Sequence, residues 1–142
     1  MRAVVVGCGR VGSSIALQLA DEGWDVTAVD EDETALRRLG AWRGGFVVGH
    51  GMDVDVLEEA GIAEAGAAVV ATDGDNSNIV IAQVIQKRWA PTCVVVRVQD
   101  PARAEFYEQR GLRTVCPTKT ATRRLPNWST RPFPKTYSAA TR

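Results

Sequence analysis

The stretch from Val4 to Asp32, VVVGCGRVGSSIALQLADEGWDVTAVDED, decides the fold, because it places a cluster of glycines between an apolar run and a helical pattern. Val4–Val6 is uniformly apolar and β-branched, which is typical of a strand buried on both faces of a parallel sheet. From Val11 onward apolar side chains recur at every fourth position, which predicts a helix that ends at Gly23. Asp25–Val29 is the next strand-like run, so the stretch predicts a β-α-β unit with glycines in its first turn.

Downstream of this unit, short apolar runs continue to alternate with helical patterns. Further strands are predicted over residues 45–49, 67–71, 93–98 and 113–116, and helices over residues 31–39, 53–60, 76–89 and 101–109. Such repeated β-α units predict an α/β fold with a parallel sheet. Right-handed crossovers and a glycine turn after the first strand favour a doubly wound, Rossmann-type sheet of six strands in the order 3-2-1-4-5-6.

A change in composition near residue 118 divides the chain of 142 residues into a body and a tail. Residues 1–118 are long enough to bury a single core as one domain. Residues 119–142 are basic and rich in proline, serine and threonine. In the tail the sequence predicts about two helical turns up to Leu125, a stop at Pro126 and extended or disordered chain beyond. The tail also contains three aromatic residues that could pack on the body or on a partner, Trp128, Phe133 and Tyr137.

Charge is distributed unevenly along the chain, although the formal net charge is zero. Residues 117–142 contain six basic residues and no acidic one, whereas residues 1–116 contain 11 basic and 17 acidic residues. An acidic body argues against nucleic acid as a partner. No apolar run reaches the roughly 18 residues of a membrane-spanning helix. Because three cysteines and one histidine show no metal-like spacing, we expect reduced thiols in a cytoplasmic protein and no bound metal.

The glycines of the first turn form the pattern G-x-G-x-x-G, Gly7-Cys8-Gly9-Arg10-Val11-Gly12, between a predicted strand and a predicted helix. Gly7 permits a tight turn, and Gly9 has no Cβ, so a pyrophosphate can approach the backbone there. Gly12 allows the helix to pack closely on the sheet. The first amides of the helix and its dipole favour a bound anion, so this context predicts a dinucleotide or nucleotide site.

Asp30 ends the second predicted strand, where a carboxylate can accept hydrogen bonds from the ribose of adenosine. The same carboxylate would repel a 2′-phosphate, which favours NAD over NADP. The structural alternative is a glycine-rich turn that binds nothing, followed by an exposed aspartate.

Longer stretches of the chain carry a more specific resemblance. They read GCGRVGSSIA, VDEDE, GHGMDVDVLEEAGIAEAGAAVVATDGDNSNIVIAQV and VVVRVQDPARAEFYEQRGLRTVCPT. Over residues 1–118 the sequence resembles the RCK or KTN domain, the N-terminal domain of potassium-conductance regulators. That domain occurs in Trk- and Ktr-type potassium-uptake regulators and in gated potassium channels. The most specific features are the arginine after the second glycine, the LEEAGI helix, the ATD after the fourth strand and the R-V-x-D-P after the fifth.

The resemblance implies a nucleotide site at the carboxyl ends of the strands. Its candidate residues are Gly7, Gly9, Arg10, Val11, Gly12, Asp30, Glu31, His50, Thr72, Asp73 and Asn78. By resemblance, Arg10 reaches back to the phosphates, and Thr72 and Asp73 lie across the crevice from the glycine turn. Glu31 lies beside the ribose-binding Asp30, and Asn78 opens the following helix near the same cleft.

The resemblance also implies a function. In the family such sites take NAD(H), the expected cofactor here, or an adenine nucleotide such as ATP or ADP. Occupancy changes the shape of an oligomeric ring beneath a membrane pore. We therefore expect a regulatory subunit or domain of a potassium channel or uptake system, whose partner is the membrane subunit. It would form a homo-oligomer, either a dimer or a higher ring, at the inner face of the cell membrane.

Two features depart from the family pattern. The family usually has Gly-Asp after the third strand, whereas this chain has Gly49-His50, which removes a carboxylate from the expected adenosine end. His50 could face an adenine ring, sense pH or simply face solvent. The regulators also usually carry a C-terminal ligand-binding lobe, which this sequence lacks, so we expect either a lone N-terminal domain or a fragment.

Two other classes of function are open on sequence grounds. A small NAD-dependent oxidoreductase domain would need a substrate site and a proton-transfer group. Cys8 would need exposure and a neighbouring base to act as a nucleophile. A pure interaction module would need an inactive nucleotide site, against which the intact glycines, Arg10 and Asp30 argue. We therefore expect a binding function with no catalytic residue.

The helix predicted over residues 76–89 has apolar side chains on more than one side. One side must cover the sheet, and the other would be exposed in a monomer. This pattern predicts self-association, with the tail, through Trp128 or Phe133, as the alternative cover.

Overall fold

The computed structural model describes residues 1–129 of the chain, with side chains described through residue 124. Its sheet contains six parallel strands in the order β3-β2-β1-β4-β5-β6, which confirms the predicted doubly wound α/β fold of Rossmann type. The strands are β1 (Arg2–Val6), β2 (Asp25–Asp30), β3 (Gly45–Val48), β4 (Ala67–Val70), β5 (Cys93–Arg97) and β6 (Arg113–Val115).

Helical segments follow every strand in the described chain. They are α1 (Arg10–Asp21), a 3₁₀ helix (Glu33–Leu39), α2 (Val54–Glu59), a second 3₁₀ helix (Ile62–Glu64), α3 (Asp75–Arg88), α4 (Pro101–Glu108) and α5 (Pro117–Ser129). Among these described helices, none has the length and apolar character needed to cross a membrane.

The sheet is covered on both faces, as the strand sequences require. Along β1, Ala3 and Val5 pack with α1 and the first 3₁₀ helix, whereas Val4 and Val6 pack with α2, α3 and α4. Successive strand residues point to opposite faces, so a strand buried on both faces needs an uninterrupted apolar run. The uniform valines of β1 therefore place it at the centre of the sheet, between β2 and β4.

The short helix predicted over residues 31–39 is the first 3₁₀ helix. Its N-terminus is capped by Asp32, whose carboxylate accepts hydrogen bonds from the backbone N–H of Thr34 (2.9 Å) and from the Thr34 hydroxyl (2.7 Å). These two bonds lower the pKa of the Asp32 carboxyl. Ala35 and Leu39 are buried against the sheet, and Gly40, with φ +59°, ends the helix. The cap and the two buried side chains together fix this segment beside the glycine turn.

The last described helix differs from the prediction. α5 continues through Pro126 to Ser129, so the predicted stop at Pro126 was wrong. A proline inside a helix removes one N–H donor and kinks the helix, and here this does not end it. α5 crosses the predicted domain boundary after residue 118, which stays a prediction. The predicted extended or disordered chain over residues 130–142 lies outside the described residues.

α3 leaves less apolar surface exposed than the sequence predicts. Ile79, Ala82 and Ile85 are buried on the side that covers the sheet. Of the apolar residues elsewhere on the predicted helix, Val80 is 44% exposed, Val84 is half-buried, and Trp89 is half-buried against the same core. Apolar side chains thus lie on more than one side, as predicted, but the domain itself covers part of the second side.

Candidate nucleotide-binding cleft

A cleft of about 590 Å³ lies at the carboxyl ends of the central strands. Its position follows from the strand order, because β1 and β4 lie side by side while their connections leave in opposite directions. The cleft is lined by Val6, Gly7, Gly9, Arg10, Val29, Asp30, Glu31, Asp32, Arg38, Gly49, His50, Gly51, Ala71, Thr72, Asp73, Gly74, Ser77 and Ile81. Of the eleven candidate residues, eight line it, whereas Val11, Gly12 and Asn78 do not.

Gly7 lies at the floor of the cleft and contacts the chain on both sides of β1. Its N–H donates to the Val29 carbonyl of β2 at 2.8 Å, and its φ of +93° is a conformation that side chains disfavour. A Cβ at this position would lie 2.7 Å from backbone atoms of Ala71 and Thr72, after β4. Gly7 thus allows the chain after β1 to approach both neighbouring strands.

The other two glycines of the motif have different surroundings. A Cβ on Gly12 would lie 1.7 Å from the Gly7 carbonyl oxygen, so Gly12 lets α1 start directly on the turn. A Cβ on Gly9 would meet nothing within 4 Å. Gly9 is therefore the open point of the turn, where another molecule can approach the backbone.

The N-terminus of α1 faces the open turn. Gly9 is its N-cap and provides no side-chain cap, and the first N–H groups of a helix have no partner within it. Val11 has an exposed side chain outside the cleft, so it offers this site only its backbone N–H. Arg10 lines the cleft, and its exposed guanidinium makes no hydrogen bond or ion pair with the described part of the chain. Together these groups form a positively polarised surface for an anion.

Asp30 ends β2 inside the cleft, as predicted from its spacing. One carboxylate oxygen accepts a hydrogen bond from the Cys8 N–H at 2.7 Å, and the other accepts one from the Asp32 N–H at 2.9 Å. A carboxylate oxygen has two lone-pair sites, so each retains one for a further donor. Asp30 therefore braces the glycine turn and still offers acceptors to a ligand.

His50 lies beside Glu31 at the ends of β3 and β2. Its Nε2 is 3.8 Å from a Glu31 carboxylate oxygen, and its Nδ1 accepts a hydrogen bond from the Met52 N–H at 3.1 Å. Both side chains line the cleft and are mostly exposed. The side chain that departs from the family pattern thus stands at the cleft rim, next to an acid.

Asn78 is placed differently from the other candidates, because it is fully buried behind the wall that Thr72 forms. Its Oδ1 accepts from the Thr72 N–H at 2.9 Å and from the Thr72 hydroxyl. Its Nδ2 donates to the carbonyls of Thr72 and Arg97, both at 3.0 Å. Arg97 also donates from its guanidinium to the Thr72 carbonyl at 2.8 Å. Asn78 is therefore a positioning residue for Thr72, and its side chain has no capacity left for a ligand.

Several cleft residues were missed by the sequence reasoning, among them Asp32, Arg38, Gly51 and Ser77. Gly51 had a usable signal, since it follows Gly49 closely and small residues mark close approaches. A Cβ there would lie 2.4 Å from a methyl group of Val6. Arg38 had none, because basic side chains on a short helix usually face solvent.

Cys8 lies inside the glycine turn, but its thiol points into the core. The side chain is fully buried and is 4.0 Å from the Ala35 carbonyl oxygen. Burial raises the pKa of the Cys8 thiol, and the nearby Asp30 carboxylate raises it further. The thiol is therefore protonated near neutral pH and is not placed to act as a nucleophile. In the part of the chain that the structure describes, no group of three or more potential metal ligands occurs.

Comparison with known proteins gives a consistent result. Residues 3–117 match the family model of the TrkA-N domain. The Trk system potassium uptake protein TrkA of Streptomyces coelicolor is 47% identical over 116 residues, which cover 81% of this chain and 52% of the relative. This chain thus spans about half the length of that curated relative.

Solved structures share the fold at low sequence identity. The TrkA-N domain of the inner membrane protein ybaL from Escherichia coli gives a TM-score of 0.80 at 16% identity, over 89% of this chain and 95% of that one. The Kef CTD of Shewanella denitrificans, in an AMP-bound form, gives a TM-score of 0.76 at 22% identity, over 88% and 77% of the two chains. Because the family model covers most of the sequence, the chain belongs to the TrkA-N domain family.

Proposed function

We propose that this chain is a nucleotide-binding regulatory subunit or domain of a potassium channel or uptake system, in which NAD(H) or an adenine nucleotide in the cleft controls ion transport. Two comparisons support the proposal. A relative 47% identical over its matched region is a potassium uptake protein, and a protein of the same fold has been seen in an AMP-bound form.

The observation that carries the proposal is the open Gly9 turn with Asp30 beside it, whose carboxylate accepts a hydrogen bond from the Cys8 N–H of the same turn. At the turn, the unpaired N–H groups of α1 and the Arg10 guanidinium suit phosphates. At the end of β2, the Asp30 carboxylate keeps acceptor sites for ribose hydroxyls. A cleft of about 590 Å³ has the size of an ordinary small-molecule site. Neighbouring sites for phosphates and for ribose hydroxyls are what an adenosine phosphate requires.

NAD(H) is the ligand that we favour, with ATP and ADP as the other candidates. Asp30 and Glu31 place two carboxylates near the expected ribose, which disfavours the 2′-phosphate of NADP. Either NAD(H) or an adenine nucleotide satisfies the turn and Asp30. His50 and Glu31 lie at the rim where the adenine ring would be held, so they would contact the adenosine portion that all of these ligands share.

The test is calorimetric titration of the full chain with NAD+, NADH, ATP and ADP. Asp30→Ala is expected to weaken binding by roughly 1–3 kcal/mol, because hydrogen bonds to a charged group are lost. Glu33→Ala is the control, since it removes an acid three residues later, at the start of the first 3₁₀ helix, that does not line the cleft. Equal affinity in Asp30→Ala would place the ribose elsewhere, and no binding to the wild-type protein would refute the proposal.

We propose further that the protein binds nucleotide without transforming it. The Cys8 thiol is buried, and the cleft histidine lies at an exposed rim beside an acid, so neither is held where it would face a bound nicotinamide and substrate. Turnover of NADH with a carbonyl substrate would contradict this proposal and favour the oxidoreductase alternative.

Control of a membrane pore requires partners, and we propose two. The first is a second copy of this chain, in a dimer or a higher ring, and the second is a potassium channel or transporter subunit at the inner face of the cell membrane. Exposed apolar side chains at Val80 and Val115 offer contact surface. Light scattering at micromolar concentration is expected to show an oligomer, and a strict monomer with and without NAD+ would contradict it. Co-purification with a potassium-uptake membrane subunit tests the second partner.

A further inference from the structure

Arg38 occupies a defined place in the cleft wall. It precedes the buried Leu39 at the end of the first 3₁₀ helix, which Asp32 caps and Ala35 anchors. Its side chain lines the cleft, whereas that of the neighbouring Arg37 does not. Of these two adjacent arginines on one short helix, only Arg38 therefore borders the cleft.

Arg38 has no bonded partner within the described structure. Its guanidinium makes no hydrogen bond or ion pair with any of residues 1–124. Asp30 accepts hydrogen bonds from the N–H groups of Cys8 and Asp32, and Asp32 accepts from Thr34, but neither carboxylate is bonded to Arg38. Hydrogen bonds from Thr34 lower the pKa of the Asp32 carboxyl, and the Arg38 guanidinium acts in the same direction from a distance. An arginine in a cleft without a protein partner is suited to an anionic ligand.

The charge of Arg38 also acts at the glycine turn. Burial and the Asp30 carboxylate both raise the pKa of the Cys8 thiol, and the Arg38 guanidinium acts in the opposite direction. The geometric link to the turn is the cleft itself, which Arg38 lines together with Gly9. Arg10, the other free arginine of the cleft, follows Gly9 in the sequence.

We propose that Arg38 is a specificity-determining residue of the cleft, which binds a nucleotide phosphate from the side of the 3₁₀ helix while Arg10 binds from the side of α1. This inference rests on the proposed function of the cleft. Two guanidinium groups lining the same cleft as the glycine turn match a ligand with two adjacent phosphoryl groups. The cleft therefore prefers pyrophosphate-bearing ligands, such as ADP or NAD(H), to nucleosides.

The two adjacent arginines supply a matched experiment on the full chain. ADP and the uncharged probe adenosine are titrated into the wild-type protein, Arg38→Gln and Arg37→Gln, at low and at moderate salt. Arg38→Gln is expected to weaken ADP binding roughly tenfold or more, the scale of a lost charge-assisted contact. Its adenosine affinity is expected to stay unchanged, and Arg37→Gln is expected to match the wild type for both probes. The difference between Arg38→Gln and wild type in ADP affinity is expected to shrink as salt rises.

Two results would overturn the inference. Unchanged ADP affinity in Arg38→Gln would show that the guanidinium does not touch the phosphates. An equal loss for adenosine would show that Arg38 supports the base, the ribose or the wall itself. Failure of the wild-type protein to bind any probe would instead refute the proposed function, and the inference with it.

Discussion

Replacing Gly12 with alanine is expected to lower the free energy of unfolding by about 3 kcal/mol or more, at the severe end of the range for single substitutions. The added Cβ would lie 1.7 Å from the Gly7 carbonyl oxygen, a backbone atom that cannot rotate away. Gly7 in turn is held by its bond to Val29 and by contact with the chain after β4. α1 would have to move off the sheet. Urea denaturation followed by circular dichroism measures the effect.

The matched control is Gly9→Ala, which adds the same methyl group three residues earlier in the same turn. Its Cβ meets nothing within 4 Å, and its φ of −74° suits any side chain, so little stability should be lost. If Gly12→Ala unfolds at the same urea concentration as Gly9→Ala, α1 does not need the close approach that the structure shows.

Gly9→Val is expected to reduce nucleotide affinity by about 100-fold or more, because its branched side chain would fill the space of the pyrophosphate and cost several kcal/mol of contact. Gly9→Ala should reduce affinity by an intermediate factor. The fold should survive in both variants, since the added atoms project into open space. Calorimetry with NAD+ or ADP gives the affinities, and circular dichroism checks the fold.

Nucleotide affinity is expected to fall in the order wild type, Gly9→Ala, Gly9→Val. Wild-type affinity in Gly9→Val would place the phosphates away from the turn. Unfolding of both Gly9 variants would instead show that Gly9 serves the backbone conformation, and would leave no separate effect on binding to measure.

The fold was predictable because its signals are local. The apolar run of β1, the glycines and the fourfold apolar spacing of α1 each report the backbone conformation of their own residues. The order of strands then followed from the handedness of β-α-β crossovers. The position of Asp30 in the cleft was predictable as well, because Asp30 ends a parallel strand and the cleft lies at the carboxyl ends of the strands.

The remainder depended on tertiary contacts that no local pattern reports. The sequence pattern predicts Asn78 as a cleft residue, but its amide is fully hydrogen-bonded to Thr72, in the preceding loop, and to Arg97, on the next strand. Arg38 is exposed, as a basic residue on a short helix should be, but no local pattern shows that it lines the cleft. The continuation of α5 through Pro126 departs from the local rule that proline ends a helix.

The buried amide of Asn78 lowers the entropy that the protein loses when a ligand binds in the cleft. The Asn78 side chain is hydrogen-bonded to the N–H, the hydroxyl and the carbonyl of Thr72, so Thr72 is held in place before any ligand binds. A ligand that contacts Thr72 loses little entropy in ordering the protein there. The exposed arginines on the opposite side, in contrast, must give up rotamer freedom on binding. Most of the conformational freedom that the protein loses on ligand binding should therefore be lost by the arginine side chains, and little by Thr72.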